Sequence, residues 1–167
     1  INAELGLRSS PSANLFFDAA VFRNNFSNLV QVGSIAGGTT AYSEGKALFQ
    51  GVELAAQAER LSAAIEGNLF ARVALTWLPT AEQKSAFTSP ATNTAIVNFA
   101  GKRLPYAPES LLTLTLGYRA PQFWNARLEY VYVGEQFGSF DNQVVASADG
   151  QKGLIDAYGI WNAVFNY

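Results

Sequence analysis

From residue 68 the chain reads Asn68-Leu69-Phe70-Ala71-Arg72-Val73-Ala74-Leu75-Thr76-Trp77. In an extended chain successive side chains point to opposite faces. Leu69, Ala71, Val73, Leu75 and Trp77 then share one face, and Asn68, Phe70, Arg72, Ala74 and Thr76 the other. A helix, with its period of 3.6, would scatter both sets around its axis, so the stretch reads as a strand with one apolar side. Leu112, Leu114, Leu116 and Tyr118 oppose Thr113, Thr115, Gly117 and Arg119 in the same way. So do Trp124, Ala126, Leu128, Tyr130 and Tyr132 against Asn125, Arg127, Glu129 and Val131.

Working outward, seven segments carry this period: Asn2 to Ser9, Leu15 to Gln31, Lys46 to Ala58, Gly67 to Leu78, Leu111 to Arg119, Trp124 to Phe137 and Ala157 to Tyr167. Several exceed the usual globular strand of about five or six residues. They approach or pass the nine to eleven or so that a tilted strand needs to cross a bilayer. The links alternate in length. Pro11 to Asn14, Glu59 to Glu66 and Ala120 to Phe123 are short; Gly33 to Gly45, Pro79 to Ser110 and Gly138 to Asp156 are long. In an antiparallel meander this puts every long loop at one end, as in outer-membrane barrels. A soluble β-sandwich shows the same one-faced strands but has no reason to sort its loops. Trp77, Tyr118, Trp124 and Tyr132 fall near the ends of apolar faces, where barrels carry their aromatic girdles.

Composition narrows the classes. Nearly half of the 167 residues are apolar, yet no run reaches the eighteen or so of a membrane helix. The formal net charge is −2, which argues against nucleic acid, a polyanion that demands a basic patch. With no cysteine and no histidine, disulfides, thiolate metal sites and the commonest general base are excluded. The start, Ile1-Asn2-Ala3-Glu4, has neither a basic nor an apolar leader region. Trp161 to Tyr167 reads as a strand with no loop after it. Both ends suggest an internal piece.

Three stretches, in order, resemble the barrels of TonB-dependent receptors. Glu4-Leu5-Gly6-Leu7-Arg8 is similar to their "E-x-G-x-R" strand, and Gln50-Gly51-Val52-Glu53-Leu54 to their "GVE" strand opening. Leu104-Pro105-Tyr106-Ala107-Pro108-Glu109 is similar to the "PYAPE" stretch of the ferric-citrate type. The resemblance spans essentially the whole chain. It implies an all-β, antiparallel up-and-down meander of about seven long strands. This would be a partial wall of a 22-stranded transmembrane β-barrel, from its last half, with residues 1–167 as one partial barrel domain. The plug domain, the TonB box and the closing strands would lie outside this chain. The implied function is import of a ferric chelate, such as a siderophore or ferric citrate, across the bacterial outer membrane. The implied partners are the lipid bilayer, TonB acting through the missing plug region, and the chelate itself. A passive porin is the alternative, and a soluble β-sandwich binding module a more distant one.

Candidate chemistry is sparse. Without His or Cys no nucleophile–base pair can be assembled, and Glu44, Glu53, Glu59 and Glu66 are too dispersed to act as paired carboxylates. Gly33 to Gly38 lacks the Lys-Ser/Thr and the helix of a phosphate loop, and is expected to be a flexible loop. No catalytic, cofactor-binding or metal residue is assigned, and the ligand-binding residues are left unknown. Alternation puts Glu4, Glu53, Arg72, Arg127 and Glu129 on the lumen side, because Arg on the lipid face costs about 2–4 kcal/mol near the midplane. Leu112, Leu114 and Leu116 should project from the convex face, with Trp77 and Trp124 near its borders, and Thr113, Thr115, Arg72 and Arg127 into the concave one. The loops hold Lys84, Lys102, Arg103 and Lys152, offset by Glu82, Glu109, Asp141 and Asp149. They also hold Phe87, Phe99, Tyr106 and Phe140, which could pack on a chelator. Pro105 and Pro108 are expected to make a stiff, extended entry into the strand near Leu111.

Overall fold

The computed structural model describes residues 1–32, 41–85, 87–88, 96–97 and 99–167. The Gly33 to Gly38 loop expected above lies outside the described residues. The described residues form eleven strands: β1 (Asn2–Ser12), β2 (Leu15–Val32), β3 (Ala41–Ala58), β4 (Asn68–Gln83), β5 (Phe87–Thr88), β6 (Ile96–Val97), β7 (Ser110–Arg119), β8 (Asn125–Val133), β9 (Gln136–Phe137), β10 (Leu154–Ile155) and β11 (Tyr158–Asn166). Seven long ones make a single sheet in the order β1-β2-β3-β4-β7-β8-β11. Every pairing in it is antiparallel and joins neighbours along the chain. β5-β6 and β9-β10 are small hairpins within the long links. There is no second stacked sheet and no helix among the described residues, which removes the sandwich reading. That 22 such strands close the complete barrel stays a proposal.

The short links are tight for identifiable reasons. Ser12 pairs with Leu15 across Ala13-Asn14, and the Asn14 amide donates to the Ser12 hydroxyl. After β3, the Arg60 amide donates to the Asn68 side chain, and that side chain donates to Glu59. Of the three links expected to be long, 84–109 and 134–157 are; the first shrinks to 33–40, eight residues against nine in 59–67, because β3 begins at Ala41. All three join strands at the opposite end of the sheet.

Several boundaries differ from those read in the sequence. The first strand runs on to Ser12 and not Ser9, and the third begins at Ala41 and not Lys46. The fourth strand does not stop at Leu78. Gln50 pairs with Thr80 but Val52 with Trp77, so three steps on β4 oppose two on β3. This bulge around Leu78-Pro79 absorbs the proline, which has no amide to give to a ladder, and the strand runs on to Gln83. The sixth strand ends at Val133 and not at Phe137; Gln136 and Phe137 pair instead with Leu154 and Ile155. Gly134 marks the break, its amide donating to Ser110.

Beyond the bulge, Ala47 and Ala81 are buried, and Ala47 packs with Leu104 and Phe140 of the long links. Phe49, Phe99 and Ala107 surround them. This small core ties the loops to the upper sheet. Elsewhere, Phe70 apart, most described large side chains of the sheet are half-buried or exposed.

Candidate functional site

The register sorts the side chains into two faces, because directly paired residues project to the same side. Leu7, Ala19, Leu54, Leu75, Leu112 and Tyr132 form one row across six strands, and Phe17, Ala56, Val73, Leu114, Tyr130 and Trp161 the next. This face is apolar and open: Leu116 is 52% exposed and Trp77 48%. Trp77 lies level with Ser110 at the long-loop end of β7, and Tyr118, level with Leu69, lies at the other end. Tyr118 packs on Trp124 at 5.1 Å between ring centres, and Trp124 on Phe165 at 5.9 Å. The eight steps from Trp77 to Leu69 rise about 27 Å along the strand at about 3.4 Å each. A tilt of about 40° brings that to about 21 Å across the sheet, close to the apolar band of roughly 25 Å in membrane barrels. The expected aromatic borders are therefore in place at both ends.

The other face is polar. Glu4, Glu53, Arg72, Arg127 and Glu129 all lie on it, as alternation requires. Arg72 and Leu75 are on opposite sides. Arg8 pairs with Asp18 across the first hairpin. Thr115, directly opposite Glu129, donates to its carboxylate at 3.5 Å, and Asn162 donates at 3.3 Å. Phe70 is only 6% exposed on this polar side, because its ring lies over Gly117 and under two guanidinium groups. Arg72 sits 5.1 Å and Arg119 4.2 Å from its centre. Arg119 also reaches Glu59 at 3.4 Å. The Glu59 carboxyl is held below its ordinary value, first by the Asn68 amide and then by Arg119.

At the long-loop end the expected capture residues divide. Lys84 pairs with Glu82 and Lys152 with Asp141. Burial raises the Asp141 carboxyl, but bonds from Ser139 and Lys152 outweigh it and leave the group lowered. Asp149 is lowered by the Ser147 hydroxyl and the Gln151 amide. Arg103 is not a free cation for a ligand. Its Nη2 donates to the Leu78 carbonyl at 2.7 Å, its Nη1 to Pro79 at 3.4 Å and its Nε to Ala107 at 2.8 Å. It thus satisfies carbonyls that the β4 bulge turns out of the ladder, and burial lowers its pKa from the ordinary arginine value. Phe140 is buried and stacks on Phe99 at 5.8 Å, so both serve the loop core. The Phe87 side chain lies outside the described residues.

Asn142 was not singled out in the sequence. It brackets the Arg103 backbone, its Oδ1 accepting from the Arg103 amide at 2.7 Å and its Nδ2 donating to the Arg103 carbonyl at 2.8 Å. It takes a left-handed φ of 52° to do so. The one available signal is that Asn tolerates such a conformation. Tyr106 also departs from expectation. The Pro-Tyr-Ala-Pro stretch is not simply extended, since Tyr106 has φ 54° within a turn and donates its amide to Phe137 at 2.9 Å.

Comparison with known proteins gives this two-faced wall a place. No curated protein matches the chain. Among solved structures, the unliganded ferric citrate transporter FecA aligns with a TM-score of 0.76 at 23% identity, over 98% of this chain and 23% of that one. The siderophore receptor PiuA from Acinetobacter baumannii aligns at 0.67 and 17%, over 99% and 22%. The FrpB iron transporter from Neisseria meningitidis aligns at 0.62 and 16%, over 99% and 23%. The chain thus spans under a quarter of the length of these structures, and at such identities the likeness shows the fold. The family described as "TonB dependent receptor-like, beta-barrel" matches residues 1–167, the whole chain. Its members are transporters and not enzymes, and the chain belongs to this family of TonB-dependent receptor β-barrels.

Proposed function

We propose that the chain is part of the wall of an outer-membrane receptor that imports a ferric chelate by energised, gated translocation. One observation carries the reading: a family match over all 167 residues coincides with a sheet that has one continuous apolar face and one charged face. The apolar face meets lipid; the charged face lines a hydrated lumen. Residues 1–167 are one part of the barrel domain, with the plug, the TonB-contacting segment and the closing strands of a 22-stranded barrel supplied elsewhere.

Glu4, Glu53, Arg72 and Arg127 form no ion pair among the described residues. We assign these unmatched charges to lumenal water and to the plug. Ligand capture belongs to the long-loop end and the mechanical step to the plug, with no bond made or broken. The solved structures that resemble the chain are named as a ferric citrate transporter, a siderophore receptor and an iron transporter, which supports iron as cargo. A large barrel without a plug would leak, which disfavours a passive porin.

The test is uptake of labelled ferric citrate and ferric siderophores by cells carrying the full-length gene, with TonB present or deleted. Uptake lost with TonB is the expected result. Uptake that persists unchanged without TonB would leave the passive channel as the better reading.

A further inference from the structure

The alternation that sorts the two faces continues past the apolar border, and there it brings cations to the lipid-facing side. Leu5, Val21, Val52 and Trp77 form the last apolar row. Two residues further along the strands, the row on the same side is Ala3, Arg23, Gln50 and Thr80, and the next is Asn25, Leu48 and Glu82. Beyond it Lys46 stands opposite Lys84, whose amide donates to the Lys46 carbonyl. Arg23, Lys46 and Lys84 are all exposed.

These charges are only partly matched. Lys84 pairs with Glu82. Arg103, bridged to Glu82, is already held by three backbone carbonyls. Arg23 and Lys46 form no ion pair among the described residues. Like charges directly opposite each other destabilise a sheet. Folding alone therefore does not favour Lys46 beside Lys84, and an anion between them would relieve the repulsion.

Height decides which anion. The long-loop end of a membrane barrel is its extracellular end, so these residues stand over the outer leaflet, and cations beside a membrane surface attract anionic lipid. At about 3.4 Å per residue and a tilt of about 40°, Arg23 lies about 5 Å above the Trp77 row and Lys46 about 16 Å above it. Phospholipid head groups reach only about 5–8 Å beyond the hydrocarbon. Arg23 meets that layer. Lys46 and Lys84 stand above it, at the height of a head group extended by sugars.

We propose that Arg23, Lys46 and Lys84 form a docking site for a phosphorylated glycolipid of the outer leaflet. Its acyl chains lie on the apolar rows, Arg23 holds a phosphate at the base of the head group, and Lys46 with Lys84 holds a phosphate on the sugars above. The site rests on the membrane-wall reading but not on the identity of the cargo.

The full-length receptor is first reconstituted with phosphatidylcholine and floated on a density gradient. Failure to enter the bilayer would overturn the wall reading, and the lipid site with it. Receptor in detergent is then titrated with lipid A and with a lipopolysaccharide whose core sugars keep their phosphates, and bound lipid is followed by native mass spectrometry. Both should bind, and inorganic phosphate should displace neither. Arg23→Gln should weaken both about fivefold, the worth of one cation at a charged membrane surface. Lys46→Gln should weaken only the core-bearing form, by a similar factor. Arg127→Gln, the same charge change on the polar face, should leave both unchanged. Wild type binding neither glycolipid, no loss in Arg23→Gln and Lys46→Gln, an equal loss in Arg127→Gln, or displacement by inorganic phosphate would each overturn the site. So would weakening that tracks a lowered thermal midpoint, which would make the two cations structural residues.

Discussion

Gly117 shows how closely the polar face is fitted. A Cβ there would stand 2.9 Å from Phe70 Cε2 and closer still to the tip of the ring. The ring cannot swing away freely, because Arg72 and Arg119 lie over it. Gly117→Val should therefore act as an overpacking change, costing about 1–3 kcal/mol. Thermal unfolding of the full-length protein in detergent would show it as a lowered midpoint. The same substitution at Gly101, where nothing lies within 4 Å, meets no steric clash, although its φ of 81° makes any side chain there somewhat strained. Residue-level detail of this kind was only partly legible in the sequence. Alternation placed Gly117 on the lumen side, but nothing in Leu-Gly-Tyr disclosed that a phenylalanine paired with it on the neighbouring strand β4 fills the gap. Arg103 was read as a loop cation for the same reason. Its partners are carbonyls exposed by a bulge, and periodicity does not report a bulge. Tyr106 was hidden too, since Pro-Tyr carries no Gly or Asn to announce a positive φ.

At the scale of the element, the strands follow from a period of two that local sequence displays directly. The seven long strands were readable in the sequence, and in the fourth, fifth and sixth segments so were both faces, because a sheet with one apolar and one polar side imposes a one-faced pattern. The exceptions lie where that pressure ends. Above the bulge, β4 packs against the long links, where Ala81 and Leu104 are buried, and beyond Val133 the chain turns into a hairpin. Two predictions belong here. Leu116→Arg, on the apolar face, should destabilise the protein in membranes by about 2–4 kcal/mol if it lies near the midplane. Thr115→Arg, one residue away on the polar face, should cost much less. Unfolding in lipid vesicles would compare the two, and equal costs would remove the assignment of faces. The second concerns the β9–β10 hairpin. The Asp141 carboxyl is lowered in the folded state, so its contribution is present above the unfolded value of about 4. It is lost as pH falls through the lower folded value. Amide exchange at Gly138 and Leu154, corrected for intrinsic rates, should quicken below about pH 4. In Lys152→Gln that acid response should shrink, since Lys152 is one of the groups holding Asp141 charged.

For the whole molecule, a sheet with two unpaired edges, β1 and β11, and an apolar face with little to cover it cannot be stable in water alone. Residues 1–167 expressed by themselves should collect as insoluble material and dissolve only with detergent. A monodisperse, cooperatively folding soluble monomer on a sizing column would speak against the membrane wall.

The central claim, that one face of this sheet meets lipid and the other the lumen, can be read residue by residue. The chain contains no cysteine, so single cysteines can be placed along β7 from Leu111 to Tyr118 in the full-length receptor and spin-labelled in lipid bilayers. Collision with oxygen, which concentrates in lipid, and with a water-soluble nickel chelate is then measured at each site. The account predicts that oxygen collisions peak at 112, 114 and 116, and that the nickel chelate is excluded from those sites. At 113 and 115 oxygen collisions should fall. The absence of a two-residue period, or oxygen maxima at 113 and 115, would contradict it.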